Sequence, residues 1–381
     1  MAVTWKQYSG VWTMQSQMQA VSAGTWTGFP YLWSWGRNNQ GQLGQGNTTN
    51  YSSPKQVGAL SNWSSVSCGG AHTVSIKTDG TLWSWGRNNQ GQLGLGNTTY
   101  YSSPKQVGAL TNWLSVSCGQ YYTVSIKTDG TLWSSGLNNY GQLGLNNITS
   151  YSSPKQVGAL TNWSSVSCGR LHTVSIKTNG TLWSWGNNAN GQLGLGNVTN
   201  YSSPKQVGAL TNWLSVSCGY SYTVSIKTDG TLWSWGYNNN GQLGLGIVIS
   251  YSSPKQVGAL TNWSSVSCGQ GHTVSIKTDG TLWSWGLNNY GQLGLNNTTS
   301  YSSPKQVGAL TTWLSVACGY YHTVSIKTDG TLWSWGRNNY GQLGLNNITY
   351  YSSPKQIGAL TSWTKLFKGC MTNSTLAIKS S

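Results

Sequence analysis

The chain has 381 residues, among them 50 Gly and 23 Trp, and carries a formal net charge of +16 although only 7 % of its residues are charged. Seventeen Lys and four Arg stand against five Asp and no Glu, which excludes a fold held by ion-pair networks and chemistry that draws on paired carboxylates. The positive excess favours an anionic partner or surface.

Residues 1–30 lack the repeat that fills the rest of the chain. Val11, Met14, Met18 and Val21 recur there at helical spacing and Gly24 follows them, which predicts a short helix. With Trp12 and Trp26 they form a docking arm, because methionines on one face adapt to a partner's groove. No basic segment leads into an apolar stretch with a small-residue cleavage site, and no apolar run approaches 18 residues, so neither a signal peptide nor a transmembrane helix is expected.

Residues 31–381 are organised by Leu82-Trp83-Ser84-Trp85-Gly86-Arg87-Asn88-Asn89-Gln90-Gly91-Gln92-Leu93-Gly94, which recurs every 50 residues from Leu32, Leu82, Leu132, Leu182, Leu232, Leu282 and Leu332. A fixed period of this length marks units that bury their apolar faces only by stacking on one another. Within a unit, Thr73–Thr78 and Thr81–Trp85 alternate on either side of Asp79-Gly80, which predicts a hairpin with a type I′ turn, Ile76 opposite Trp83 and Val74 opposite Trp85. One sheet face is then bulky and the other small. Ser65–Cys68 reads as a further strand and Ser53–Val57 as an edge strand that tolerates Pro54. Four strands per 50 residues is one blade, so the fold expected is an all-β, seven-bladed propeller. Six units are complete. Trp363–Lys379 supplies a degenerate half that completes the blade begun at Tyr31, which closes the ring.

Cys68, Cys118, Cys168, Cys218, Cys268 and Cys318 share one repeat position and Cys370 lies out of register, so they read as buried free thiols. Every Asp falls in a hairpin turn, and His72, His172, His272 and His322 share one position. No triad, carboxylate pair or metal cluster follows from such spacing, and the chain reads as a non-enzyme without cofactor or metal.

Differences between repeats cluster in the turn after Cys-Gly and in the loop after Trp-Gly, the first and third connections of a blade, which share one face of the disc. The candidate binding residues there are Arg37, Arg87, Tyr121, Tyr122, Tyr140, Arg170, His172, Tyr220, Tyr222, Tyr237, His272, Tyr290, Tyr320, Tyr321, His322, Arg337 and Tyr340. Such residues recognise ligands by stacking and adaptable hydrogen bonds. The opposite face repeats without change. Lys55, Lys77 and their equivalents form lysine rings that suit an anionic surface or serve solubility.

The Leu-Trp-Ser-Trp-Gly-x-Asn-x-x-Gly-Gln-Leu-Gly motif, preceded by Cys-Gly-x-x-His-Thr and followed by Pro-Lys-Gln-Val, resembles the regulator of chromosome condensation repeat. That resemblance implies a seven-bladed propeller and, from the founding member, guanine-nucleotide exchange through an inserted wedge and acidic residues, and chromatin binding. The uniform 50-residue spacing admits no insertion, which argues against exchange. Gly10–Gln17 and Ala23–Trp26 resemble a leader of virion-associated proteins of marine bacteriophages. The function expected on that likeness is a virion structural or host-attachment protein, made in the host cytoplasm. Its arm would dock to a virion protein and its varied face would bind a host surface component or glycan. The alternative is a cytoplasmic scaffold that binds protein or nucleic acid.

Overall fold

A computed structural model describes residues 30–367 and 372–380, except the side chains of residues 60 and 61. Residues 1–29, with the docking arm, and Cys370 lie outside the described residues. Seven sheets of four antiparallel strands form a ring of blades. Blade 1 consists of Trp63–Cys68, His72–Lys77, Leu82–Gly86 and Tyr101–Gln106, and blades 2 to 6 repeat it at 50-residue intervals. The first strand of each blade runs beside the first strands of its neighbours at the axis, and the Tyr-Ser-Ser-Pro-Lys-Gln strand lies at the rim. Blade 7 combines Trp363–Leu366 and Ser374–Lys379 with Tyr31–Gly36 and Tyr51–Ser61. Tyr31 pairs with Lys379 and Gly36 with Ser374, so the two chain ends close the ring as expected. No helix among the described residues is long and apolar enough to cross a membrane.

The hairpin register differs from the sequence expectation by one residue. Ile76 opposes Leu82, Ser75 opposes Trp83 and Thr73 opposes Trp85. The cause is the turn: Thr78, Asp79 and Gly80 form a three-residue loop closed by Lys77 N donating to the Thr81 carbonyl (3.0 Å), with Gly80 at φ 77 and Asp79 not in the left-handed region. The Asp79 carboxylate accepts from Thr81 N (2.9 Å) and Thr81 Oγ1 (2.6 Å), which favours a type I turn followed by a left-handed glycine over type I′. A Cβ at Gly80 would also come within 2.0 Å of the Thr111 carbonyl oxygen.

A one-residue slip moves every side chain to the other face. Each blade therefore has one face of Trp63, Val66, Cys68, Trp83 and Trp85 and another of Val74, Ile76 and Leu82, instead of one bulky and one small face. Adjacent blades pack the tryptophan face of one against the aliphatic face of the one before. Leu32, Leu376 and Ile378 of blade 7 meet Trp63, Val66 and Trp85 of blade 1 in this way. Trp63 contacts Trp83 and Trp85 edge to face, with centroids at 6.3 and 5.9 Å.

Polar contacts repeat as regularly as the apolar ones. The Gln42 carbonyl of blade 7 accepts from Thr73 Oγ1 (2.8 Å) and Trp85 Nε1 (3.0 Å) of blade 1. The Gly-Gln-Leu-Gly segment thereby latches each blade to the next, and where Ser135 replaces Trp only Thr123 reaches the Gln92 carbonyl. At the axis, Cys118 N donates to Ser67 Oγ (2.9 Å) and Cys118 Sγ to the Ser67 carbonyl (3.4 Å). The Ser67 hydroxyl thus finds its partner at the blade-to-blade contact, whereas Ser75 and Ser84 donate within their own blade, to the Ser65 and Leu93 carbonyls.

Candidate functional site

The two varied segments meet on one face. Arg87 N donates to the Ala71 carbonyl (2.9 Å), and the same bond joins Leu137 to Tyr121, Tyr237 to Ser221 and Arg337 to Tyr321. Beneath each varied loop is an unchanging frame: Asn88 Oδ1 accepts from Leu93 N (2.9 Å), and Gln92 Oε1 from Gln90 N (2.9 Å), with both side chains buried. The residues between them are free to differ.

Five of the seventeen sequence candidates are not on this surface. His172, His272, His322, Tyr122 and Tyr222 are buried, as is His72. They are struts between blades. His172 Nε2 pairs with Thr223 Oγ1 (3.2 Å) and His322 Nε2 with Thr375 Oγ1 (2.8 Å), while the Tyr122 hydroxyl donates to the His172 carbonyl of the next blade. Burial depresses each histidine to about 3, so the imidazoles are neutral in the fold. His and Tyr interchange because both fill one slot and extend one polar atom across the same seam.

The remaining candidates fall into a continuous arc and separate pairs. Arg170 stacks on Tyr220 (4.5 Å to the ring centroid) and donates through Nε to Gln120 Oε1 (2.7 Å). Tyr220 meets Tyr320 at 6.1 Å, Tyr320 meets Tyr321 at 4.8 Å, and Tyr321 meets Tyr290 at 5.0 Å. Arg337 lies over Tyr290 and Tyr321, at 5.1 and 5.4 Å, and Tyr350 extends the chain from Tyr290 at 5.7 Å. Burial, then the neighbouring ring Tyr220, pushes the Tyr320 hydroxyl well up, so that hydroxyl stays protonated at neutral pH. Arg87 over Tyr121 and Arg37 over Tyr340 stand outside the arc, Tyr140 is 37 % exposed, and Tyr237 lines a cavity between blades 3, 4 and 5.

The arc includes residues absent from the sequence candidates. Gln120 and Gln270 belong to the varied turn, and Tyr350 ends a loop whose last position reads Asn50, Tyr100, Ser150, Asn200, Ser250, Ser300 and Tyr350. That third zone of variation was a readable signal. The turns are tied round the axis by Gly70 N to the Gln120 carbonyl, Gln120 N to Arg170, Arg170 N to Tyr220, Gln270 N to Tyr320 and Tyr320 N to Thr372. This places Tyr220 and Tyr320, two blades apart, at the axis.

The two lysine rings differ from each other. Lys127, Lys177, Lys227, Lys277 and Lys327 are buried against tryptophan pairs, as Lys227 lies 4.9 Å from Trp213 and 3.7 Å from Trp233. Burial lowers the ammonium pKa of Lys177, Lys227, Lys277 and Lys327. An anion-binding role for that ring is therefore corrected to a packing role. Lys55, Lys105, Lys155, Lys205, Lys255, Lys305 and Lys355 remain exposed at the rim. The six described cysteines are buried, and burial pushes Cys168 up to about 12. Among the described residues no group of three or more His, Cys, Asp or Glu could hold a metal ion.

The family model described as RCC1-like domain matches residues 16–263, and the Regulator of chromosome condensation (RCC1) repeat matches 279–326 and 329–373. Protein RCC2 of Mus musculus and the RCC2 homolog of Danio rerio are each 43 % identical over 53 residues, 13 % of this chain and 10 % and 11 % of those proteins. The match thus spans about a tenth of those relatives. Human WBSCR16 is similar in fold at TM-score 0.81 and 22 % identity, covering 92 % of this chain and 99 % of that one. Prp20p of Saccharomyces cerevisiae, in a structure described with its binding properties to Gsp1p and histones, gives TM-score 0.80 at 20 % identity over 93 % and 92 %. The same yeast protein bound to Kap60 gives 0.82 at 19 % over 100 % and 96 %.

Proposed function

Because this chain belongs to the regulator of chromosome condensation repeat family, we propose that it is a non-enzymatic scaffold that binds a protein partner through the varied face of its propeller. The observation that carries the reading is the arc from Arg170 through Tyr220, Tyr320, Tyr321 and Tyr290 to Arg337. Tyrosine and arginine on a rigid scaffold supply large contact area at low entropic cost, and they dominate protein interfaces. The solved Prp20p structures of similar fold are described as bound to Kap60 or as binding Gsp1p and histones, which agrees in class. The virion reading has no comparable support, since it rests on residues 10–26, outside the described ones.

The test is quantitative affinity capture with the full chain. Tyr290→Ala, Tyr320→Ala, Tyr321→Ala and Arg337→Ala combined should abolish recovery of proteins that the wild type enriches. Leu110→Ser with Leu160→Ser on the opposite face should leave recovery unchanged. The reverse pattern would end the proposal.

A further inference from the structure

The varied face contains a cavity of about 330 Å³ lined by Arg170, Tyr220, Tyr237, Asn240, Gln242 and Leu287, among others. Two positions that vary between blades shape it. In blade 3, Gln192 Nε2 donates to Asn187 Oδ1 at 2.6 Å. Blade 4 has Tyr237 in place of that asparagine, and the Gln242 side chain, fully buried, is left with an Nε2 that has no partner. The second position is Gly271, where other blades carry Ala71, Tyr121, Leu171, Ser221 and Tyr321. A Cβ there would stand 3.4 Å from Asn240 Nδ2 and 3.5 Å from Leu287 Cβ, inside the cavity wall. Gln42, Gln92 and Gln292 also have an unbonded Nε2, but the turns beside them carry Ala71, Tyr121 and Tyr321.

Across the cavity, Gln270 Oε1 is likewise buried without a partner. The site therefore presents one free donor and one free acceptor. A carboxamide answers both, its carbonyl accepting from Gln242 as Asn187 does from Gln192 and its amide donating to Gln270. A carboxylate, though drawn by Arg170 and Gln242 Nε2, would be opposed by Gln270 Oε1, and an ammonium would be opposed by Gln242 Nε2 and Arg170. The loop that begins at Tyr237 ends in Ile247-Val248-Ile249, exposed by 42, 56 and 59 %, where blades 1 and 5 have Asn-Thr-Thr. Contiguous exposed aliphatics in the same loop as Tyr237, which lines the polar cavity, fit a polypeptide better than a sugar.

We propose that this cavity receives the side-chain carboxamide of an Asn or Gln on a protein partner, whose adjacent aliphatic residues rest on Ile247, Val248 and Ile249. The proposal builds on the protein-binding reading above. The probe is the capped tripeptide acetyl-Leu-Gln-Leu-amide, with its Leu-Glu-Leu and Leu-Leu-Leu counterparts, titrated by calorimetry against the full chain. The glutamine peptide should bind on the order of tenfold more tightly than either counterpart. Tyr237→Asn, which copies blade 3, and Gly271→Leu, which fills the space, should each erase that preference while the melting temperature of the Tyr237→Asn variant stays unchanged. Equal binding of the three peptides, or a preference that survives both substitutions, overturns the proposal. Saturation by an N-acetylglucosamine trimer that Gly271→Leu abolishes, with no peptide preference, also overturns it and assigns the cavity to a glycan. No peptide preference with intact capture by the arc removes the cavity alone, and a preference without capture removes the arc alone.

Discussion

His322 and Tyr320 lie two residues apart in one turn, and they divide the molecule into two kinds of region. His322 reaches across a seam to Thr375 and belongs to a set that repeats from blade to blade with little change. Tyr320 faces its own kind, Tyr220 and Tyr321, and has Gly70, Gln120, Arg170, Tyr220 and Gln270 as equivalents. A side chain that completes the neighbouring blade is held constant by that neighbour, whereas one that touches only other varied residues is not. Constancy inside this chain therefore reports the seam, and variation reports surface that the fold does not need.

The largest effect expected is on the seam. The four histidines titrate near 6.5 when unfolded and near 3 when folded, so the unfolded state takes up protons that the fold excludes. Their stabilisation is complete above pH 6.5 and falls as pH drops from there toward 3, by roughly 1.4 kcal/mol per histidine per pH unit at most. Acid unfolding followed by tryptophan fluorescence should be steep below pH 6. Replacing all four by Tyr, which the chain itself uses at Tyr122 and Tyr222, should move the acid midpoint down. An unchanged midpoint would mean the histidines titrate freely.

A single seam residue comes next. Trp235→Ser, which copies Ser135, should cost about 3–5 kcal/mol, since it removes a fully buried indole and its bond to the Gln192 carbonyl. The reciprocal Ser135→Trp should raise the melting temperature by restoring a donor to the Gln92 carbonyl. If both substitutions are destabilising, the seam around blade 2 has repacked and the blades are not equivalent.

Smaller still is the axial serine. Ser117→Ala leaves Cys168 N, buried at the axis, without its acceptor at 2.9 Å, and should cost about 1–3 kcal/mol in chemical denaturation. Ala317 is the same change made by the chain itself at the equivalent position. An equal loss on Ser267→Ala, which faces Cys318, would confirm that the bond and not the position matters.

The repeat period, the strand count and the closure of the ring were legible in the sequence because each is a counting property. The hairpin register was not. Asp-Gly is compatible with a two- or a three-residue loop, and the choice between them depends on Thr81, whose hydroxyl and amide both engage the Asp79 carboxylate. Of the candidate site, the arginines and the tyrosines of the arc were visible as differences between repeats. The histidines were misread because a polar residue in a turn looks exposed until the strand behind it is placed, and Thr223 lies 51 residues from His172. Gln242 could not be recognised at all from its own position, since it is invariant. Its free amide is shared with Gln42, Gln92 and Gln292, and what distinguishes it is the space left by Gly271 in the next blade.

The smallest effect belongs to the varied set. Exchanging Tyr140 for Asn, which blades 3 and 4 carry at that position, and Leu137 for Asn, which blade 3 carries, should change stability by less than about 0.5 kcal/mol, because Tyr140 is exposed and the backbone bonds of both residues, Tyr140 N to Gln142 Oε1 and Leu137 N to the Tyr121 carbonyl, survive the exchange. Thermal unfolding of the double variant against the wild type measures this directly. A loss of several kcal/mol would mean that the varied loops hold neighbouring blades together, and the differences between repeats would then have to be read as compensated packing. An unchanged melting curve, combined with loss of partner capture on alteration of the arc, would separate the two regions by experiment as the hydrogen bonds separate them in the fold.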